Sequence, residues 1–75
     1  MANLCERLKL IRKERNIRQL DVVNNCEISL RSYKYYEAGE HKPDSDVLIK
    51  LADYFDVSID YLVGRTDDPN SHKPK

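Results

Sequence analysis

Apolar residues recur at helical spacing along most of this chain. In the first segment Leu4, Leu8 and Ile11 fall at i, i+4 and i+7, which is the period of one buried helix face. Similar stripes follow in four later segments. The pattern predicts five helices, at about residues 3–15, 18–26, 29–37, 44–55 and 59–63. The sequence has neither an internal repeat nor an alternation of strands with helices, so we predict an all-α fold.

Residues 19–39 predict two short helices separated by a tight turn. Ser29 is a good N-cap because its hydroxyl can accept from the free backbone N–H groups of the next turn. Ile28 before this cap and Tyr33 inside the helix fit a hydrophobic staple. Two short helices held at a fixed angle form a helix-turn-helix, whose second helix can lie in the major groove of DNA.

The length and composition narrow the class of protein. A chain of 75 residues is expected to form one domain, in which every apolar helix face contributes to the core. No apolar run reaches the roughly 20 residues that a transmembrane helix needs, so we expect no membrane partner. The N-terminus lacks the apolar segment of a signal peptide, which favours a cytoplasmic protein.

The potentially reactive side chains do not form a recognisable catalytic or metal site. Cys5 and Cys26 fall on apolar helical positions without CxxC spacing, which favours reduced, buried thiols over a metal site or a disulfide. His41 and His72 lie in polar segments and have no ligand spacing with either cysteine. We therefore predict that the protein is not an enzyme and uses no cofactor, metal or small-molecule substrate.

The charge is unevenly distributed although the formal net charge is zero. Residues 1–42 hold nine Lys and Arg against six Asp and Glu, whereas residues 43–75 hold four against seven. The positive half contains the second helix of the helix-turn-helix. This distribution is compatible with a modest electrostatic attraction to DNA.

The predicted outer face of the third helix combines cations with apolar side chains. This face holds Leu30, Arg31, Lys34 and Tyr35. Cations suit phosphate and guanine edges, and apolar atoms suit thymine methyl groups. The same mixture also suits a protein interface, where Tyr and Arg are enriched.

Four motifs make the chain similar to a known family. They are R-L-K-x-I-R at 7–12, Q-x-x-V-V-x-x-C-x-I-S at 19–29, the set Tyr36, Gly39 and Pro43, and L-A-D-Y-F-D-V-S-I-D-Y-L-V-G-R-T at 51–66. Together they resemble the Xre-like family of phage repressor and Cro-type DNA-binding domains over about residues 4–66. The resemblance implies a compact, lambda repressor-like bundle of five helices, with the helix-turn-helix formed by helices 2 and 3. We predict this domain at 1–66 and a polar, flexible tail at 67–75.

The resemblance also implies roles for individual residues. The positions expected to face DNA bases are Leu30, Arg31, Lys34 and Tyr35. The positions expected to contact DNA phosphates are Gln19, Arg18, Ser29 and Lys42. Arg12 and Glu37 match a pair that commonly forms a salt bridge between helices 1 and 3. A homodimer is expected, and Tyr61, Val63 and Arg65 are the predicted contact.

The leading hypothesis is a sequence-specific regulator, acting as a repressor on double-stranded DNA in a bacterial or phage setting and associating with the nucleoid when bound. The chain departs from the family pattern at the turn Gly, which is Glu27, at the start of helix 2, which is Arg18, and at Ala38 before the helix 3 glycine. These departures and the exposed Leu30 and Tyr35 leave an alternative. It is a protein-interaction module, or an antitoxin-like protein that binds a partner, with the same fold and weak DNA affinity.

Overall fold

The structure, a computed structural model, describes residues 3–69 and contains five helices within them. They are α1 (Leu4–Arg15), α2 (Gln19–Cys26), α3 (Leu30–Ala38), α4 (Ser45–Phe55) and α5 (Ile59–Leu62). Helix α1 packs against α3 and α5, α2 packs against α3 and α4, and α4 packs against α5. This arrangement confirms the predicted all-α bundle with a helix-turn-helix at α2 and α3. The bounds differ from the predicted ones by a residue at several ends.

One apolar cluster holds the helices together, and every helix contributes to it. Its members are Leu8, Ile11, Val22, Val23, Cys26, Tyr33, Leu51, Ala52, Phe55, Val57 and Leu62. Val47 and Leu48 of α4 are only half-buried and pack against the edge of this cluster. The core therefore spans the whole domain, so that the position of α3 is fixed by contacts with both α1 and α2.

Four of the five helices begin with a side-chain cap. The N-cap oxygens accept hydrogen bonds of 3.0–3.1 Å from the backbone N–H three residues ahead, and these caps are Asn3, Ser29, Asp44 and Ser58. Ser29 was predicted to be a cap from its residue type and position. Each of the four caps satisfies a backbone donor that the helix itself leaves free.

The first four helices end at a residue in the left-handed conformation. These residues are Asn16, Glu27, Gly39 and Asp56, with φ between 55° and 77°. Glycine adopts this conformation without cost and Asn and Asp tolerate it, whereas a glutamate is strained there. The turn between α2 and α3 therefore keeps its usual shape despite Glu27, and the rest of the fold tolerates the strain.

The chain after α5 folds back onto the domain. The backbone N–H of Ser58 donates to the carbonyl of Pro69 at 2.8 Å. Asp67 accepts a hydrogen bond from the Arg7 guanidinium at 3.2 Å. The start of the predicted tail thus contacts the helices, and residues 70–75, with His72, lie outside the described residues. None of the helices in 3–69 combines the length and apolar character needed to cross a membrane.

Candidate nucleic-acid interface

Helix α3 has a buried inner face and a partly exposed outer face. Tyr33 and Glu37 are buried, and Tyr33 has no exposed surface. The opposite face carries Leu30, Arg31, Lys34 and Tyr35, which together line a shallow, mainly apolar hollow. The structure therefore brings together the four residues predicted to face bases. A mainly apolar hollow that is also lined by two cations can accept a base methyl group beside a phosphate or a guanine edge.

The ring of Tyr35 lies close to two neighbouring side chains. The guanidinium carbon of Arg31 lies 6.0 Å from its centroid. The ring of His41 packs against it edge to face at 4.8 Å. The backbone N–H groups of Glu40 and His41 donate to the carbonyl of Tyr35, which turns the loop after α3 back over the helix.

This loop places Lys42 beside the outer face of α3. A second hollow is lined by Arg31, Ser32, Tyr35, Tyr36, His41 and Lys42. Lys42, predicted from the resemblance to contact phosphate, thus shares a surface with Arg31. The sequence reasoning did not assign His41 to this surface. An exposed aromatic at Tyr35 followed by a His in the next loop was the only signal for it.

A buried ionic network joins the helix-turn-helix to α1. The Glu37 carboxylate accepts from Arg12 Nε at 2.5 Å and from Arg12 Nη2 at 2.9 Å. The other guanidinium nitrogen, Nη1, donates to the carbonyl of Ile17 at 2.9 Å. The amide of Gln19 completes the network by donating to Glu37 Oε1 at 3.2 Å. One carboxylate on α3 therefore binds both α1 and the first residue of α2.

The environment of this carboxylate determines its ionisation. Burial alone would raise the pKa of Glu37, but hydrogen bonds from its neighbours, led by Arg12, outweigh burial and lower the pKa below its ordinary value. Burial raises the pKa of the nearby Tyr33 phenol, and the Glu37 charge adds to that shift. The network is therefore an ion pair at neutral pH beside a neutral phenol.

Arg18 and Asp21 form the start of α2. The Asp21 carboxylate accepts from the Arg18 backbone N–H at 3.1 Å, and the Arg18 guanidinium donates to the same carboxylate. Only half of a capping box is present, because an arginine side chain cannot accept the hydrogen bond that the N-cap residue usually accepts. The half that is present is the hydrogen bond from the Arg18 backbone N–H to the Asp21 carboxylate. Arg18 is exposed and Asp21 is partly exposed, and hydrogen bonds from Arg18 lower the pKa of Asp21.

The remaining predicted residues take other places. The Ser29 hydroxyl accepts from the Ser32 N–H and bonds to the Ser32 hydroxyl, at the start of α3. Tyr61, Val63 and Arg65 lie on and after α5, where Tyr61 is half-buried beneath the Arg7 guanidinium. Both cysteines are free thiols, Cys26 buried and Cys5 half-buried. Residues 3–69 hold no group of three or more His, Cys, Asp or Glu arranged to bind a metal ion.

The fold and this surface define a class of small helix-turn-helix domains whose second helix presents a mixed cationic and apolar face. A sequence model described as a helix-turn-helix domain matches residues 5–67. The chain therefore belongs to this helix-turn-helix family, as the resemblance in the sequence indicated.

Known relatives carry regulatory names. The chain is 41% identical over 66 residues to the HTH-type transcriptional regulator YobD of Bacillus subtilis, covering 88% of this chain and 59% of the relative. It is 47% identical over 60 residues to the cryptic phage CTXphi transcriptional repressor RstR of Vibrio cholerae, covering 80% and 54%. A crystal structure of a transcriptional regulator from Listeria innocua superposes with a TM-score of 0.76 at 39% identity, covering 81% of this chain and 57% of that one. The chain thus spans little more than half the length of these relatives.

Proposed function

We propose that the protein is a sequence-specific DNA-binding transcriptional regulator that acts as a repressor by occupying operator DNA. The outer face of α3 carries this proposal, since Leu30, Arg31, Lys34 and Tyr35 form one continuous surface. Such a surface can lie in the major groove of double-stranded DNA. The regulatory names of the relatives support the same function.

In this proposal some residues of the surface contact DNA bases and others contact the DNA backbone. Arg31 is the candidate for a bidentate contact with guanine and Leu30 for a thymine methyl, with Lys34 and Tyr35 beside them. The candidates for phosphate contacts are Gln19, Arg18, Ser29 and Lys42. Such contacts position the helix without reading the base sequence.

The protein is further proposed to bind as a homodimer through Tyr61, Val63 and Arg65. Two copies of α3 would then lie in successive major grooves about 34 Å apart, and the operator would be a two-fold repeat. Repression of this kind requires neither bond chemistry nor a cofactor, and it takes place in the bacterial cytoplasm where the DNA lies.

Selection of bound sequences from a random DNA pool tests this function. The wild type is expected to select two related half-sites, with a binding constant that falls steeply as salt rises. Arg31→Ala is expected to lose about 1–3 kcal/mol of discrimination at one base position per half-site. Lys50→Ala on α4 is the matched control, because it removes an exposed cation outside this surface. A wild type that enriches no sequence and binds no duplex at low salt would overturn the proposal.

A further inference from the structure

The carboxylate of Glu37 makes a contact that an interhelical ion pair does not require. Besides Arg12, it accepts a hydrogen bond from Nε2 of Gln19 at 3.2 Å. Gln19 is the only glutamine in the chain and the first residue of α2. Glu37 is 5% exposed, whereas Gln19 is half-buried and reaches the surface. The buried carboxylate of Glu37 thus accepts a hydrogen bond from a Gln19 side chain that is partly exposed to solvent.

This hydrogen bond fixes which way the Gln19 amide faces. An ionised carboxylate only accepts hydrogen bonds, so the amide must turn its NH₂ group toward Glu37. The NH₂ group has two N–H bonds, and one remains after the bond to Glu37. A DNA phosphate also only accepts. The same nitrogen can therefore serve both anions, whereas the flipped amide would present its oxygen to Glu37.

We propose that Glu37 is a positioning residue for DNA binding, which orients the Gln19 amide so that its second N–H donates to a backbone phosphate. This inference rests on the proposed function, because it presupposes that Gln19 contacts a DNA phosphate. Glu37 itself does not touch DNA. It acts through Gln19, whose amide is already oriented before DNA arrives.

Arg12 makes this arrangement compatible with a nearby phosphate. A buried carboxylate facing a phosphate would repel it, because charges in a protein interior are weakly screened. The two hydrogen bonds from Arg12 neutralise Glu37 while leaving Oε1 able to accept from Gln19 as well. The ion pair therefore supplies an acceptor for Gln19 without adding net negative charge beside the DNA.

The substitution Glu37→Gln distinguishes the positioning role from a simple effect of charge on DNA affinity, because the two predict changes of opposite sign. Glu37→Gln removes a negative charge from a DNA-binding domain, which on charge alone should strengthen binding. The positioning role predicts weaker binding, because the new amide no longer enforces the Gln19 orientation. Glu40→Gln is the matched control, since it removes an exposed carboxylate from the loop after α3. It is expected to leave operator affinity unchanged or slightly raised.

A double-mutant cycle on the selected operator tests the proposal, using the whole chain at a temperature where each variant is folded. Gln19→Ala is expected to weaken binding about tenfold, as for a hydrogen bond to a charged group. Glu37→Gln should weaken it about fivefold, whereas in the Gln19→Ala background the same change should cause no further loss. A Glu37→Gln that weakens binding equally in both backgrounds, or strengthens it in the wild type, overturns the proposal.

Nuclear magnetic resonance of the Gln19 side chain supplies a second test that needs no variant. In the free protein one amide proton is expected to be protected from exchange with water by Glu37. Addition of operator DNA should then protect and shift the other. Two unprotected protons in the free protein would overturn the positioning role even if the wild type binds DNA. A protected proton together with no detectable DNA binding would instead show that the proposed function has failed.

Discussion

The guanidinium of Arg7 lies over the ring of Tyr61, with its central carbon 4.1 Å from the ring centroid. This contact joins the first helix to the last one. Arg7 is 5% exposed, and its Nε has no hydrogen-bond partner among the described residues. Its guanidinium also donates a hydrogen bond to Asp67, whose side chain is fully exposed.

Stacking and packing of Arg7 therefore stabilise the fold more than its ion pair does. Exposed ion pairs contribute little, whereas a buried arginine stem and a cation–π contact contribute more. We expect Arg7→Ala to lower the free energy of unfolding by about 2–3 kcal/mol. Asp67→Asn should leave it within error of the wild type. Urea denaturation followed by circular dichroism measures both, and an equal loss in the two variants would show that the ion pair dominates.

A substitution in the strained turn between α2 and α3 is expected to stabilise the protein. Glu27 has φ 56° and donates its backbone N–H to the carbonyl of Val23. Glycine keeps this hydrogen bond and removes the steric cost of the left-handed conformation, so Glu27→Gly should raise the free energy of unfolding by about 1 kcal/mol. Glu27→Asn should give a smaller gain. In thermal denaturation, the melting temperature is expected to be highest for Glu27→Gly, lower for Glu27→Asn and lowest for the wild type. A Glu27→Gly variant that melts below the wild type would show that Glu27 is not strained.

Local chemistry predicted most of the fold from the sequence. The cap at Ser29 bonds to the backbone N–H three residues ahead, so residue type and position were sufficient to predict it. The separation of Tyr33 from Arg31 on α3 followed in the same way from helical periodicity.

The features that the sequence did not predict depend on distant contacts. Arg7 meets Asp67 sixty residues along the chain. Gln19 was assigned to phosphate from the motif, and its bond to Glu37 could not be read from either residue alone because eighteen positions separate them. The packing of Tyr35 against His41 likewise depends on how the loop turns back after α3. Periodicity places a residue on a face but does not identify its neighbour on another helix.

The lowered pKa of Glu37 predicts how stability depends on pH. A carboxyl whose folded pKa lies below its unfolded value stabilises the fold above the unfolded pKa, and this contribution is lost as pH falls through the folded pKa. The stability advantage of the wild type over Glu37→Gln should thus be constant from pH 7 to about 5 and shrink below that, since an unfolded Glu titrates near 4.3. Denaturation of both proteins from pH 7 to 3.5 measures it. A difference that stays constant, or grows in acid, would contradict the assigned ion pair.

The apolar hollow on α3 predicts a contact with a thymine methyl group. Leu30 lines this hollow and is half-buried, so its side chain offers apolar surface without being free in solvent. Replacing the contacted thymine with uracil removes one methyl, worth about 0.8 kcal/mol or about fourfold in affinity. Leu30→Ala should weaken binding to the thymine operator and should abolish the distinction between thymine and uracil at that position. Lys34→Ala is the control, because loss of a cation should weaken binding to both DNAs by the same factor. A Leu30→Ala variant that still distinguishes the two bases would place the methyl against another residue, and Tyr35 would be tested next by the same pair of operators.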